Sequence, residues 1–214
     1  MFPAVTPTLL DSDLLPLPHE SLFSLVARLA RANLCTAHMA ANLFLGTRPA
    51  VGPPIPFLSY RRGARSPQRT RERLAKCTDW PMAAIHPVEL ADLDGYHGMW
   101  FDRNLALCPQ CIGHRYHSHW HQLLGLELCP WHHIPIRRAC QYCNTPFGPC
   151  AATEAILHSA YTCRHCNAAY HPDALALETG ALWKQAEIID QAFSGHRRWA
   201  RRAAATLRHY NVGH

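Results

Sequence analysis

Residues 108–111 read Cys108-Pro109-Gln110-Cys111, and seventeen residues later the chain reads Cys129-Pro130-Trp131-His132. A second pair follows: Cys140-Gln141-Tyr142-Cys143 and, after nineteen more residues, Cys163-Arg164-His165-Cys166. A CxxC turn supplies two thiolates from one tight loop, and two such turns complete the four-cornered donor set that zinc prefers. Both intervals fall in the zinc-ribbon range. The spacing therefore predicts two structural Zn2+ sites per chain, one of Cys108, Cys111, Cys129 and His132, the other of Cys140, Cys143, Cys163 and Cys166. Buried thiols acting as small apolar groups would not explain the repeated spacing. His132 is preferred to His133 because it preserves CxxH; His133, His165 and Cys150 lie close enough to substitute. Cys35 and Cys77 lack a partner at metal-binding spacing and are expected to be core or surface thiols. His114, His117, His119 and His121, inside the first loop, are expected to form a polar loop surface, with a further metal site as the alternative.

The magnitude of zinc binding indicates its role. A structural site of this kind supplies about 10–16 kcal/mol of apparent binding energy, comparable with the stability of a whole domain. Residues 105–172 are accordingly expected not to fold without metal. Four protein ligands per ion leave no position for a reacting water, which disfavours hydrolysis at the metal. No H-x-E segment occurs, so the zinc-deaminase signature fails, and no GxxxxGK[ST] segment is present to cradle a nucleotide. The expectation is that the protein is not an enzyme. A zinc enzyme would need an open coordination position and a carboxylate base, for which the zinc region offers Glu127 and Glu154.

Composition sets the outer limits. With 214 residues, 48% hydrophobic and 17% charged, the chain is globular and has room for one ordinary domain plus a smaller one, or two small ones. Seventeen prolines break it into short elements. No stretch approaches the roughly 20 apolar residues of a bilayer span, and the start lacks the charge and apolar regions of a signal peptide, so no membrane partner and a cytoplasmic location are expected. Ten cysteines in a reducing compartment favour metal over disulfides. The net charge of +6 rests on 21 basic residues, nineteen arginines plus two lysines, which suits a polyanionic partner.

Outward from the cysteines, Leu14-Leu15-Pro16-Leu17-Pro18 closes an extended lead-in. Leu22, Val26 and Leu29 recur at helical spacing and predict an amphipathic helix over 20–32, starting at Ser21 or His19. A second helix is expected from Thr36 through Leu43 to Leu45, ended by Gly46, giving a helix-turn-helix-like pair. Residues 47–60, rich in proline, read as a semi-rigid connector. The basic run that follows, Arg61, Arg62, Arg65, Arg69, Arg71, Arg73 and Lys76, is interrupted by Gly63 and Ser66-Pro67. After the cysteines a helical tail is predicted in two pieces, 180–193 and 196–210, hinged at Ser194-Gly195, with Trp199, Ala203, Leu207 and Tyr210 as an apolar stripe. The expected organisation is mainly α with two small zinc-ribbon-like modules: an N-terminal helical domain with its basic connector over 1–104, tandem ribbons over 105–172 and a basic helical tail over 173–214. Charge alone selects Arg61, Arg62, Arg65, Arg69, Arg197, Arg198, Arg201 and Arg202 as candidate nucleic-acid contacts.

Two stretches resemble the TniQ family of transposition proteins, which includes TnsD-type target selectors and the TniQ subunits of CRISPR-associated transposons. The first runs from Pro18-His19-Glu20-Ser21 through Arg28-Leu29-Ala30. The second is Leu107-Cys108-Pro109-Gln110-Cys111, then Tyr116, Trp120, Cys129-Pro130-Trp131-His132 and Cys140-Gln141-Tyr142-Cys143. Together they cover roughly residues 14–170. The resemblance implies a non-catalytic adaptor that links target recognition, through DNA or a guide-RNA complex, to an AAA+ ATPase of the TnsC or TniB type, and it allows a homodimer. The competing expectation is a zinc-finger transcription regulator binding DNA through residues 20–46, although Ala37, Met39, Ala40, Ala41 and Leu43 are apolar for a recognition helix.

Overall fold

The computed structural model describes residues 14–40, 43, 55–56, 66–81, 102, 104–148, 151–152, 160–172, 184–195, 198–199 and 202. Its regular structure is mainly helical: α1 (Leu22–Ala32), α2 (Ala37–Ala40), α3 (Ser66–Thr78), α4 (Pro109–Gly113), a 3-10 turn η1 (His119–Gln122) and α5 (184–195). One two-residue antiparallel pairing, β1 (Ile55–Pro56) on β2 (Ala151–Ala152), joins the proline-rich segment to the ribbon region. Regular pairing thus occurs inside what the prolines mark as a connector.

Ser21, one of the two expected starts, caps α1 by accepting a hydrogen bond from the Ser24 backbone N–H through its hydroxyl, and the helix proper begins at Leu22, two residues after the expected Glu20. Glu20 falls outside the helix and forms an isolated antiparallel bridge with Ser118. An amphipathic helix with a wet face is not what results. Every residue from Leu22 to Ala30 is buried, including Ser24 and Arg28. The polar side of α1 is satisfied by protein instead of water: the Ser24 hydroxyl donates to Arg115 O at 3.3 Å and accepts from His117 N at 3.1 Å. Arg28 grips Glu20 with two hydrogen bonds of 2.7 Å and adds a third, at 3.2 Å, to Leu15 O. Glu20 also accepts from the Leu17 N–H at 2.9 Å. Burial alone would lower the Arg28 pKa, yet the Glu20 charge and its hydrogen bonds raise it above the ordinary value.

The interior divides into two apolar groups. The first packs Phe23, Leu25, Val26 and Leu29 of α1 against Leu74, Trp80, Leu105, Leu107, Ile112 and Phe147, together with Cys140 and Cys163. The second surrounds Tyr116, Trp120 and Trp131 with Leu17, Ile136, Ile189 and Phe193, and takes in Cys108, Cys111 and Cys129. Among the described residues packing therefore crosses positions 104 and 172, the expected segment bounds. Phe193 of α5 stacks on Trp120 at 4.2 Å. α5 runs through Ser194 and Gly195, so these two residues are helical where a hinge is expected. α3 occupies the basic run: Ser66-Pro67, which reads as an interruption, is its first turn, where proline is tolerated. Leu74 and Cys77 face the core, while Glu72, Arg73 and Lys76 are exposed. Cys35, half-buried, packs against the same core, so both spare thiols are partly or fully interior. Thr36 caps α2 as expected, accepting from Met39 N at 3.2 Å; the expected continuation to Leu45 and Gly46 lies outside the described residues apart from Leu43.

The buried ion pair yields the first prediction. Removing one partner strands the other charge in the core, so Glu20→Ala should cost about 3–5 kcal/mol. Ser21→Ala, which forfeits a cap, should cost only about 1–2 kcal/mol. Urea unfolding of the two metal-loaded variants checks the order, and a Glu20→Ala cost no larger than that of Ser21→Ala would contradict it.

Candidate metal centres

Three of the four ligand turns share one backbone. In each, the first ligand (Cys129, Cys140 or Cys163) accepts at its carbonyl from the N–H four residues on, at 2.8 Å for His133, 2.9 Å for Asn144 and 2.8 Å for Asn167. The N–H of that first ligand returns to the carbonyl five residues on: Ile134, Thr145 and Ala168, at 2.9, 2.9 and 2.8 Å. Closing so small a loop needs a left-handed residue just after the second ligand, and His133, Asn144 and Asn167 have φ of 52°, 55° and 58°. Asparagine and histidine enter that region more readily than most side chains, which explains both Asn residues and the choice of His132 over His133 as donor. The fourth turn differs, since Cys108 is the N-cap of α4 with Pro109 at its first position.

These turns bring all eight expected donors into two groups, Cys108, Cys111, Cys129 and His132, and Cys140, Cys143, Cys163 and Cys166. Within each group the donor atoms all lie within 4.8 Å of one another. Around a tetrahedral ion with metal–sulfur bonds of about 2.3 Å, two sulfurs are about 3.8 Å apart. The Cys111–Cys129, Cys140–Cys166 and Cys143–Cys163 sulfur pairs are at 3.6, 3.7 and 3.6 Å. His132 Nδ1 lies 3.5, 3.2 and 3.6 Å from the sulfurs of Cys108, Cys111 and Cys129, where a fourth ligand belongs. Both quartets can hold a metal ion, and their soft donors are compatible with zinc. His133 and His165 are exposed and outside the groups; Cys150 lies outside the described residues.

Each quartet also carries a thiol disposed to ionise. Hydrogen bonds from Cys108 and Cys111, then from His121 and His132, hold Cys129 far below the usual thiol range against the opposing effect of burial. Hydrogen bonds from Thr145 bring Cys143 down to about 6. A ready thiolate is the form that captures a cation.

The histidines of the first loop depart from expectation. His117, His119 and His121 are buried, not a polar surface. They are interior because residues 116–120 are a docking strip for the N-terminal segment: Ser21 N donates to His117 O at 2.8 Å and His119 N to His19 O at 3.1 Å. Tyr116 Oη donates to Pro18 O at 2.6 Å, and Trp120 Nε1 donates to His19 Nδ1 at 3.2 Å. His117 Nε2 lies 2.9 Å from Ala106 O, which can only accept, so the ring proton sits on Nε2. Nδ1 then accepts from the Ser21 hydroxyl at 2.7 Å. The local sequence gives no sign of this burial, since the N-terminal partners of His117 and His119 lie about a hundred positions away.

Of the arginines selected by charge, Arg198 and Arg202 are exposed and helical, one turn apart. Arg69 lies on α3 without a described side chain, and Arg61, Arg62, Arg65, Arg197 and Arg201 lie outside the described residues. Trp199, expected on an apolar stripe, is 54% exposed. Among the described residues no helix is long and apolar enough to cross a membrane.

Two predictions follow from this geometry. Cys111→Ser and Cys163→Ser should each lower the metal content from two ions per chain towards one, read by elemental analysis of purified protein. The other concerns acid. Burial, with the neighbouring His121 adding to it, pushes His117 down to about 3 from an ordinary 6.5. Between those values the unfolded chain binds a proton that the folded chain refuses, so this contribution is intact above the ordinary value and is lost as the pH falls. His117→Gln should therefore flatten the loss of stability between about pH 7 and about pH 5, measured by urea unfolding of both proteins with metal in excess. No family model matches the chain, and no curated protein matches it.

Proposed function

We propose that the protein is a non-catalytic adaptor in transposition, similar to TniQ proteins, which couples a DNA or guide-RNA target complex to an AAA+ ATPase of the TnsC or TniB type. The observation that carries this reading is the meeting of the two stretches that resemble the family. Pro18-His19-Glu20-Ser21 and Tyr116-His117-Ser118-His119-Trp120 are about a hundred residues apart in the chain, yet they bond to each other through backbone and side chains. Residues with no chemical reason to co-occur in sequence form one unit in space. The donor sets support a scaffold role for the ions, taken here as zinc, because each offers four protein ligands and so closes a tetrahedral shell. The ATPase supplies the nucleotide chemistry that this chain's sequence does not encode.

The basic tail is assigned to the polyanion. Arg198 and Arg202 stand exposed on it, and Arg197 and Arg201 flank them in sequence. Charge reversal of all four to Glu should weaken binding to DNA or to a guide-RNA complex by tenfold or more at low salt, while metal content stays at two per chain. Electrophoretic mobility and co-purification with an AAA+ ATPase of the TnsC or TniB type test the two halves separately. Retained nucleic-acid affinity would remove the tail from the interface, and an absent ATPase interaction would remove the adaptor role.

A further inference from the structure

His121 lies fully buried, and its Nε2 is 3.5 Å from the Cys129 sulfur and 3.7 Å from the Cys111 sulfur. Its other ring nitrogen, Nδ1, is also buried and has no hydrogen-bond partner among the described residues. A neutral imidazole carries one proton, and among the described residues the acceptors offered to His121 are the two sulfurs facing Nε2. A lone pair there would oppose two thiolates, whereas an N–H is attracted to both.

Three thiolates and one neutral imidazole around a divalent cation leave a net charge of −1, set among Tyr116, Trp120 and Trp131. A buried excess charge is costly unless donors surround it. Cys108 accepts from the Cys111 backbone N–H at 3.5 Å. Cys111 and Cys129 are served from the side by His121, over the edge that joins them. Ring packing fixes its direction: His117 meets it edge-on at 5.0 Å and Trp131 at 6.0 Å.

We propose that His121 is a positioning residue of the first metal centre, donating a shared Nε2–H hydrogen bond to the metal-bound thiolates of Cys111 and Cys129. It thereby lowers their excess charge and links the centre, through the His117 ring and the His117–Ser21 hydrogen bond, to the docked start of α1. The inference rests on metal occupancy of the first quartet, which the metal content of the wild-type chain establishes separately.

The test uses the full chain loaded with cobalt(II) or zinc, with the second quartet as an internal control. His121→Phe should weaken metal affinity at the first quartet by about 10- to 100-fold in chelator competition, leaving the second unchanged. Its thiolate-to-cobalt charge-transfer band should move to lower energy while the d–d bands keep their three-sulfur, one-nitrogen form. His121→Gln, which keeps an N–H donor, should recover most of both. Unchanged affinity and band position would overturn the assignment, and so would d–d bands showing that a nitrogen ligand was lost, which would make His121 a ligand. Should His121→Phe fail to fold, cadmium-substituted wild-type protein decides: a protonated Nε2 with scalar coupling to cadmium across sulfur supports the proposal, and a bare Nε2 overturns it.

Discussion

The pairing of Glu20 with Ser118 is the contact on which the arrangement depends. It fastens the entrance of α1 to the loop between the two halves of the first quartet, so neither can be placed without the other. The chain must close a loop of nearly a hundred residues to form it, an entropic cost that grows only slowly with length but has to be covered locally. Cover comes from a dense set of bonds over few residues. Pro18, His19, Ser21 and Ser24 each engage the strip from Arg115 to Trp120.

Around that pairing the protein places polar groups where apolar ones would be ordinary. Glu20 is 0% exposed and Arg28 7%, and His117 is held neutral between a carbonyl and a hydroxyl. Such groups are weak sources of net stability, because desolvation offsets much of the attraction. Their value lies in register. A one-residue slip of α1 would strand Glu20, Ser21 and His117 together, so the polar network penalises misdocking more than an apolar face would.

How much of this was legible depends on how local each signal is. The eight donors could be read because a knuckle is encoded within six residues, and the repeat of the spacing is its own control. α1 could be read from its stripe of Leu22, Val26 and Leu29. Its burial on every side could not, because Ser24 and Arg28 look like solvent-facing residues until their distant partners are known. α3 was hidden for a different reason. Among its described side chains the core contacts are Leu74, Ala75 and Cys77, and six arginines over 61–73 mask that short period. The first-loop histidines share this ambiguity with Ser24, since a polar side chain is exposed or interior according to partners that its local sequence does not name. The tail could be recognised as helical, but glycine at 195 did not break it within α5.

The two quartets are unequally sheltered. Cys108, Cys111 and Cys129 are 0% exposed, whereas Cys143 is half-buried and Cys166 lies open. An oxidant or a competing chelator therefore meets Cys166 first, at the outer rim of the second ribbon. Damage there would loosen Cys140 and Cys163 from the packing beneath α1 while the Pro18–Ser21 anchorage stayed in place. Failure under oxidative stress would thus proceed in stages, with the outer ribbon acting as a sacrificial part that gives way before the inner one.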